Sequence, residues 1–175
     1  MKLARTLVIG ALSAASVAVA TPGAIAQPAS VRDDIAKLAN GEIGTGENPP
    51  GSNCTPYGPC ESWCAHFATW AWRKAGIDIP NYGFTGDIYT WGKQKGRAHA
   101  TDTGMHTGDI VLYGTGPSSV DTSVHTGIVV AASGGKITTV EGNSGDEVSK
   151  HGPFDPQHAE AAGRPADIYG WVSAA

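Results

Sequence analysis

No apolar run beyond residue 26 approaches the roughly 20 residues that a membrane-spanning helix needs, and nowhere do the basic residues gather into a cluster. The first lack leaves no candidate for an integral membrane span after that point. The second, with a formal net charge of -4, argues against nucleic acid as a partner, because phosphate recognition needs grouped Lys and Arg. Internal repeats and low-complexity tails are missing as well. Cysteine is scarce: there are three in 175 residues, an odd number. In an oxidising compartment that count implies one disulfide and one thiol kept free for a reason.

The beginning of the sequence points to such a compartment. MKLARTLVIGALSAASVAVATPGAIA places Lys2 and Arg5 ahead of an apolar run from Leu7 to Ala20, followed by small residues at Ala24 and Ala26. This is the pattern of a secretory signal peptide. Residues 1–26 are therefore expected to be removed, with cleavage after Ala20 as the alternative, and residues 27–175 to form one domain around a single core. Losing Lys2 and Arg5 makes that domain more acidic still. It is expected to be secreted, extracellular and monomeric.

Cys54 and Cys60 bracket the turn-rich segment TPYGP, whereas Cys64 lies in the apolar, helix-like run WCAHFATWAW. The expected pairing is Cys54 with Cys60, leaving Cys64 free. Ser30, with Asp33 in the box position, predicts a first helix over VRDDIAKLAN. Residues 41–59 read as loop, and Ser62 is the predicted cap of a second, buried helix closed by Gly76. A shorter helix is predicted over Asp87–Lys95. Four strands follow: GDIVLY, HTGIVVAA, KITTVEGN and DIYGWV. Helices first and strands after predict an α+β domain with an antiparallel sheet.

If Ser62 is the cap, Cys64 sits in the first helical turn, where unpaired N–H groups and the helix dipole favour a thiolate. A small buried hydrophobe is the alternative role for such a cysteine. His66, two residues along the same helix, points to a different side and is excluded as the base. His99, His151 and His158 lie in polar stretches and read as solvated surface residues. His125 and His106 remain, and His106 has no comparable acidic or amide partner. A three-residue loop Ser133-Gly134-Gly135 would pair Ala132 with Lys136, setting His125 opposite Asn143 and Gly127 opposite Glu141. Side chains so opposed have Cβ atoms about 5 Å apart, so Glu141 or Asn143 could orient the imidazole. A two-residue Gly134-Gly135 turn fits equally well and would put His125 on the other face.

The blocks SWCAHFATWAW, GDIVLY, HTGIVV and VEGN stand in the order and spacing of the CHAP family, the cysteine- and histidine-dependent amidohydrolases and peptidases, which the chain resembles from about Ile35 to Trp171. The resemblance implies a papain-like cysteine hydrolase fold, with N-terminal helices packed on an antiparallel sheet, and maps the family's site onto Cys64, His125, Glu141 and Asn143. It implies peptidoglycan amide bonds as substrate, no cofactor, and association with the cell wall. Thr107 stands where the family usually has Pro. The loop before Cys64 is poor in acidic residues, against the calcium site known in some members. In the implied mechanism, Cys64 attacks the amide carbonyl, His125 relays the proton, and the acyl-enzyme is hydrolysed. The Cys64 backbone N–H is the expected oxyanion donor, with Tyr57 as a candidate for the second.

Two other readings compete. Cys54, Cys60, Cys64 and His66 could form a zinc-stabilised binding module, although their spacing departs from the short cysteine pairs of structural zinc sites. A catalytically inactive CHAP-like fold could bind cell wall or protein without cutting it.

Overall fold

The computed structural model describes residues 30–175; the expected signal peptide lies outside them. Ser30 caps the first helix, α1 (Val31–Gly41), through the predicted box: its hydroxyl accepts from the Asp33 N–H, and the Asp33 carboxylate accepts from the Ser30 N–H. The second helix, α2 (Cys64–Lys74), begins one residue later than a Ser62 cap would have it. Trp63 holds the cap position without a side-chain cap bond. It is fully buried, and its indole N–H donates to Glu47 Oε1 at 3.0 Å, which anchors the chain where it enters the helix. Gly76, at φ +93°, closes α2 as expected. The third helix, α3 (Thr85–Gln94), starts with the Thr85 hydroxyl 2.7 Å from Ser123 O.

Six strands follow: β1 (Ala98–His99), β2 (Ile110–Gly114), β3 (Ser123–Ser133), β4 (Lys136–Glu141), β5 (Ser149–Phe154) and β6 (Ile168–Val172). They form one sheet in the order β1-β6-β2-β3-β4-β5, antiparallel throughout. The α+β, papain-like architecture is thus present. β1 and β5 were not expected, because one is two residues long and the other, SKHGPF, shows no alternation; both are held by pairing to a neighbour. Along β2, Ile110 and Leu112 pack with Trp63, Phe67 and Trp72 from the helical layer, while Val111 and Tyr113 face a second cluster that includes Phe154, Ala159 and Trp171. Alternation on β2 therefore serves two cores, one on each side of the sheet. Among the described residues, no helix is long and apolar enough to cross a membrane.

The β3–β4 hairpin takes the two-residue turn of the two that the sequence left open. Ser133 pairs with Lys136 across the two-residue turn Gly134-Gly135, with φ of +59° and +76°. Continued regularly, that register would put His125 and Glu141 on opposite faces. One extra residue at Val130, between the pairs Val129–Thr139 and Ala131–Thr138, shifts the register back. Ile128 then meets Val140, and Gly127 lies over Glu141, so close that a Cβ on Gly127 would stand 2.7 Å from Glu141 Cγ.

The GDIV block serves the scaffold. Asp109 is fully buried and accepts from Arg32 Nη1, from the His106 N–H at 2.8 Å and from the Ala174 N–H at 2.9 Å. Gly108, at φ +89°, brings its backbone against Arg32, where a Cβ would be 2.9 Å from Cα. Together they join α1, β2 and the residues after β6. Breaking such a buried pair is costly because the partner charge stays behind, so Asp109→Asn is expected to lower the unfolding free energy by about 3 kcal/mol in urea denaturation, without altering the titration of His125.

Candidate active site

Cys54 and Cys60 form a disulfide, and Cys64 is the free cysteine, buried. As the first residue of α2, Cys64 has a backbone N–H that no earlier turn of helix can satisfy, and its side chain stands at the positive end of the helix dipole. His125 lies near the start of β3 and is 8 % exposed. Its Nε2 is 3.0 Å from Glu141 Oε2, and the Cys64 thiol is near enough to the ring to act on its titration. With Nε2 so engaged, Nδ1 is the nitrogen left for sulfur. Burial by itself would push the His125 ring down, but the contacts with Cys64 and Glu141 outweigh it and raise it to about 9.

Glu141 is fully buried at the end of β4, and four groups meet its carboxylate. Oε1 accepts from the Tyr113 hydroxyl at 2.8 Å and the Thr139 hydroxyl at 2.7 Å; Oε2 accepts from His125 and from Arg164 Nη1 at 2.7 Å. Desolvation works to raise this acid, and the charged and hydroxyl donors reverse it, holding the carboxyl at about 2. Tyr113 stacks beside the His125 ring, with centroids 5.8 Å apart, and its phenol is pushed up by burial and by the Glu141 charge.

The remaining expected residues divide. Asn143, at φ +57°, does not sit opposite His125: β4 ends at Glu141, and the amide turns outward, with Nδ2 3.4 Å from Ser62 Oγ. Of the two, only Glu141 hydrogen-bonds the ring. Tyr57 is a core residue, 3 % exposed and packed on Trp63, Phe67 and Trp70; its N–H points at Thr55 Oγ1 at 3.5 Å, so the second oxyanion donor expected there is not supported. His66 is turned away from Cys64, its Nδ1 2.8 Å from Asn81 Oδ1 and its Nε2 2.8 Å from Glu61 Oε1. His106 is largely exposed, and His158 likewise. His151 is a correction: it is partly buried, with Nε2 2.9 Å from Ser144 Oγ and 3.9 Å from Glu141 Oε2, and burial lowers its ring. The zinc reading loses two of its four ligands to the disulfide.

Sequence reasoning missed Tyr113, Thr139 and Arg164. The first two were within reach: Tyr113 ends the GDIVLY block and pairs with His125, and Thr139 precedes Glu141 by two along β4. Arg164 follows Gly163 in the loop before β6 and carries no comparable signal.

The family model of the CHAP domain matches residues 47–143, more than half of the chain. The chain belongs to the CHAP domain family. The match includes Cys64, His125, Glu141 and Asn143 but ends before His151 and Arg164. Among solved structures, this CHAP domain is similar to RipD from Mycobacterium tuberculosis, described as a non-catalytic NlpC/p60 domain protein adapted to peptidoglycan binding. That similarity has 14 % identity and a TM-score of 0.51 over 83 % of this chain and 98 % of that one. It is also similar to NlpC1 from Trichomonas vaginalis, at 17 % identity and a TM-score of 0.50, covering 85 % of this chain and 47 % of that one. These likenesses establish the fold. No curated protein matches the sequence.

Two expectations follow from the geometry. A Cβ at Gly127 must displace Glu141, so Gly127→Ala should stay folded while His125, followed by its ring NMR signals, titrates well below about 9. The pH dependence of stability follows from the same pair. The His125 contribution is present below its ordinary 6.5 and lost as pH rises through about 9; the Glu141 contribution is present above its ordinary 4.5 and lost as pH falls through about 2. Thermal melts across pH should therefore be highest between about 4.5 and 6.5, and Glu141→Gln should flatten both flanks.

Proposed function

We propose that this CHAP domain is an exported hydrolase that cuts an amide bond of peptidoglycan, either the muramoyl–alanine amide or a peptide bond of the stem or cross-bridge. Cys64 is the nucleophile, His125 the acid–base, and Glu141 the residue that holds His125 in place. In this reading residues 1–26 are a secretory signal peptide and residues 27–175 the catalytic domain. The observation that carries it is the ring of His125 hydrogen-bonded to a buried carboxylate, with the free cysteine at the start of α2 close enough to shift its titration.

The chemistry runs from that arrangement. His125 takes the Cys64 proton, and the thiolate attacks the amide carbonyl. Oxygen charge in the tetrahedral intermediate develops near the Cys64 N–H at the head of α2, where the helix dipole favours it. The protonated ring passes its proton to the leaving amine; because the ring titrates near 9, it can hold that proton at neutral pH. Water, deprotonated by the same ring, then releases the acyl group. A depression lined by Val124, His125, Asn143 and Arg164 opens on one side of the site, and one lined by Glu61, Ser62, Gly83 and Phe84 lies beside the residues leading into Cys64. Asn143, half-buried at the edge of the first, would meet substrate rather than the histidine.

The RipD likeness favours a second reading, a module that binds peptidoglycan without cutting it. Purified peptidoglycan incubated with the protein and analysed by mass spectrometry separates the two. Cleavage predicts new amine and carboxyl ends at a single bond type, their complete loss in Cys64→Ala, and a loss of at least about 100-fold in His125→Ala. Co-sedimentation with peptidoglycan without any released fragment, together with a Cys64 that resists alkylation, would instead establish the binding module.

A further inference from the structure

The buried carboxylate of Glu141 has more partners than a histidine-orienting acid requires. Arg164 reaches it from outside the four sequence blocks and bonds the same oxygen, Oε2, that His125 uses. Two cations sharing one oxygen lie within about 6 Å of each other, a range in which a charge shifts a neighbour's protonation by about a unit or more. The carboxylates nearest Arg164 in sequence, Glu160 and Asp167, are passed over: Asp167 Oδ1 accepts instead from the Glu160 N–H at 2.9 Å. The guanidinium is almost closed off, with a side chain 11 % exposed, and its second arm is fixed on Gly163 O at 3.1 Å. It also lines the depression beside His125, so a bound substrate would complete its burial.

We propose that Arg164 is a positioning residue for His125: it locks Glu141 Oε2 in line with the ring and offsets part of the carboxylate's charge, so that the imidazolium gives up its proton more readily. The proposal rests on the reading of Cys64 and His125 as the reacting pair. Every titratable group facing Glu141 enters the balance. Tyr113 comes from β2, His125 from β3 with Cys64 of α2 behind it, His151 from β5, and Arg164 from the loop before β6; Thr139 on β4 adds a neutral hydroxyl. Arg164 is the permanent cation among them. Without it, the full charge of Glu141 acts on His125 and the ring binds its proton more tightly.

The test follows the His125 ring by NMR across pH in the whole protein, independently of any substrate. Arg164→Gln is expected to raise the pH at which the ring titrates by about one unit, and Arg164→Lys, which keeps the charge, to bring it back near the wild-type value. Because Arg164→Gln leaves a buried carboxylate short of a donor and can fail to fold, a second pair carries the same question. His125 should titrate at a lower pH in Glu141→Gln, where Arg164 is unopposed, than in the double variant Glu141→Gln/Arg164→Gln. Equal titration in that pair, or an unshifted ring in folded Arg164→Gln, overturns the proposal. The reading beneath it fails separately, through a Cys64→Ala protein that still cleaves peptidoglycan.

Discussion

A carboxylate with no access to water must find its whole hydration shell in the protein, and the end of β4 is built around that demand. Glu141 is fully buried and meets two hydroxyls on one oxygen and two cationic groups on the other. Each of those donors fixes something beyond itself. Tyr113 ties in β2, Thr139 fixes the rotamer from the same strand, Arg164 closes the loop before β6, and His125 is left with one orientation and one free nitrogen. The site is therefore set by a buried charge whose satisfaction requires four elements of the fold at once. Such a centre is expensive to assemble incompletely, and this is why the geometry of the ring can be held to a hydrogen-bond length.

Cys64 reaches this centre by a separate route. α2 is held by what surrounds its first turn: Trp63 by Glu47, the preceding loop by the Cys54–Cys60 disulfide, and His66 by Asn81 and Glu61. Gly58 and Gly83 press their backbones against the His66 side of the helix, where a Cβ on Gly58 would be 2.6 Å from the ring and one on Gly83 would be 2.6 Å from Glu61 Oε1. His66 is thus a buttress that secures the head of the helix on a side turned away from Cys64. Its place in the family block beside Cys64 reflects packing, just as Gly108 and Asp109 serve the junction with α1.

What was legible in the sequence, and what was not, separates by the range of the interaction. The capping box of α1, the Gly76 stop, the Gly134-Gly135 turn and the cysteine pairing are set by neighbours a few residues apart, and each left a local mark. The facing of Gly127 and Glu141 followed from the three-residue turn, whereas the two-residue alternative is the one that forms. That turn is one residue shorter than the three-residue one, and the bulge at Val130 supplies the missing residue. Bulges leave little trace in hydrophobic alternation, since they cost one unpaired residue on a strand already half exposed at that end.

By itself, the sequence determined that one cysteine stays free, that it stands at the head of a buried helix, and that a histidine at the start of a strand and an acid on the next strand are available to it. Those facts follow from composition, from period and from short-range caps and turns. Only the tertiary structure decided that Glu141 and not Asn143 hydrogen-bonds His125, that Tyr57 belongs to the core, and that Arg164 and His151 stand behind the acid. The reason is physical: a buried carboxylate selects its partners by distance and direction in space. The groups that satisfy it come from β2, β3, β4 and a loop near the end of the chain, which become neighbours only when the sheet is assembled.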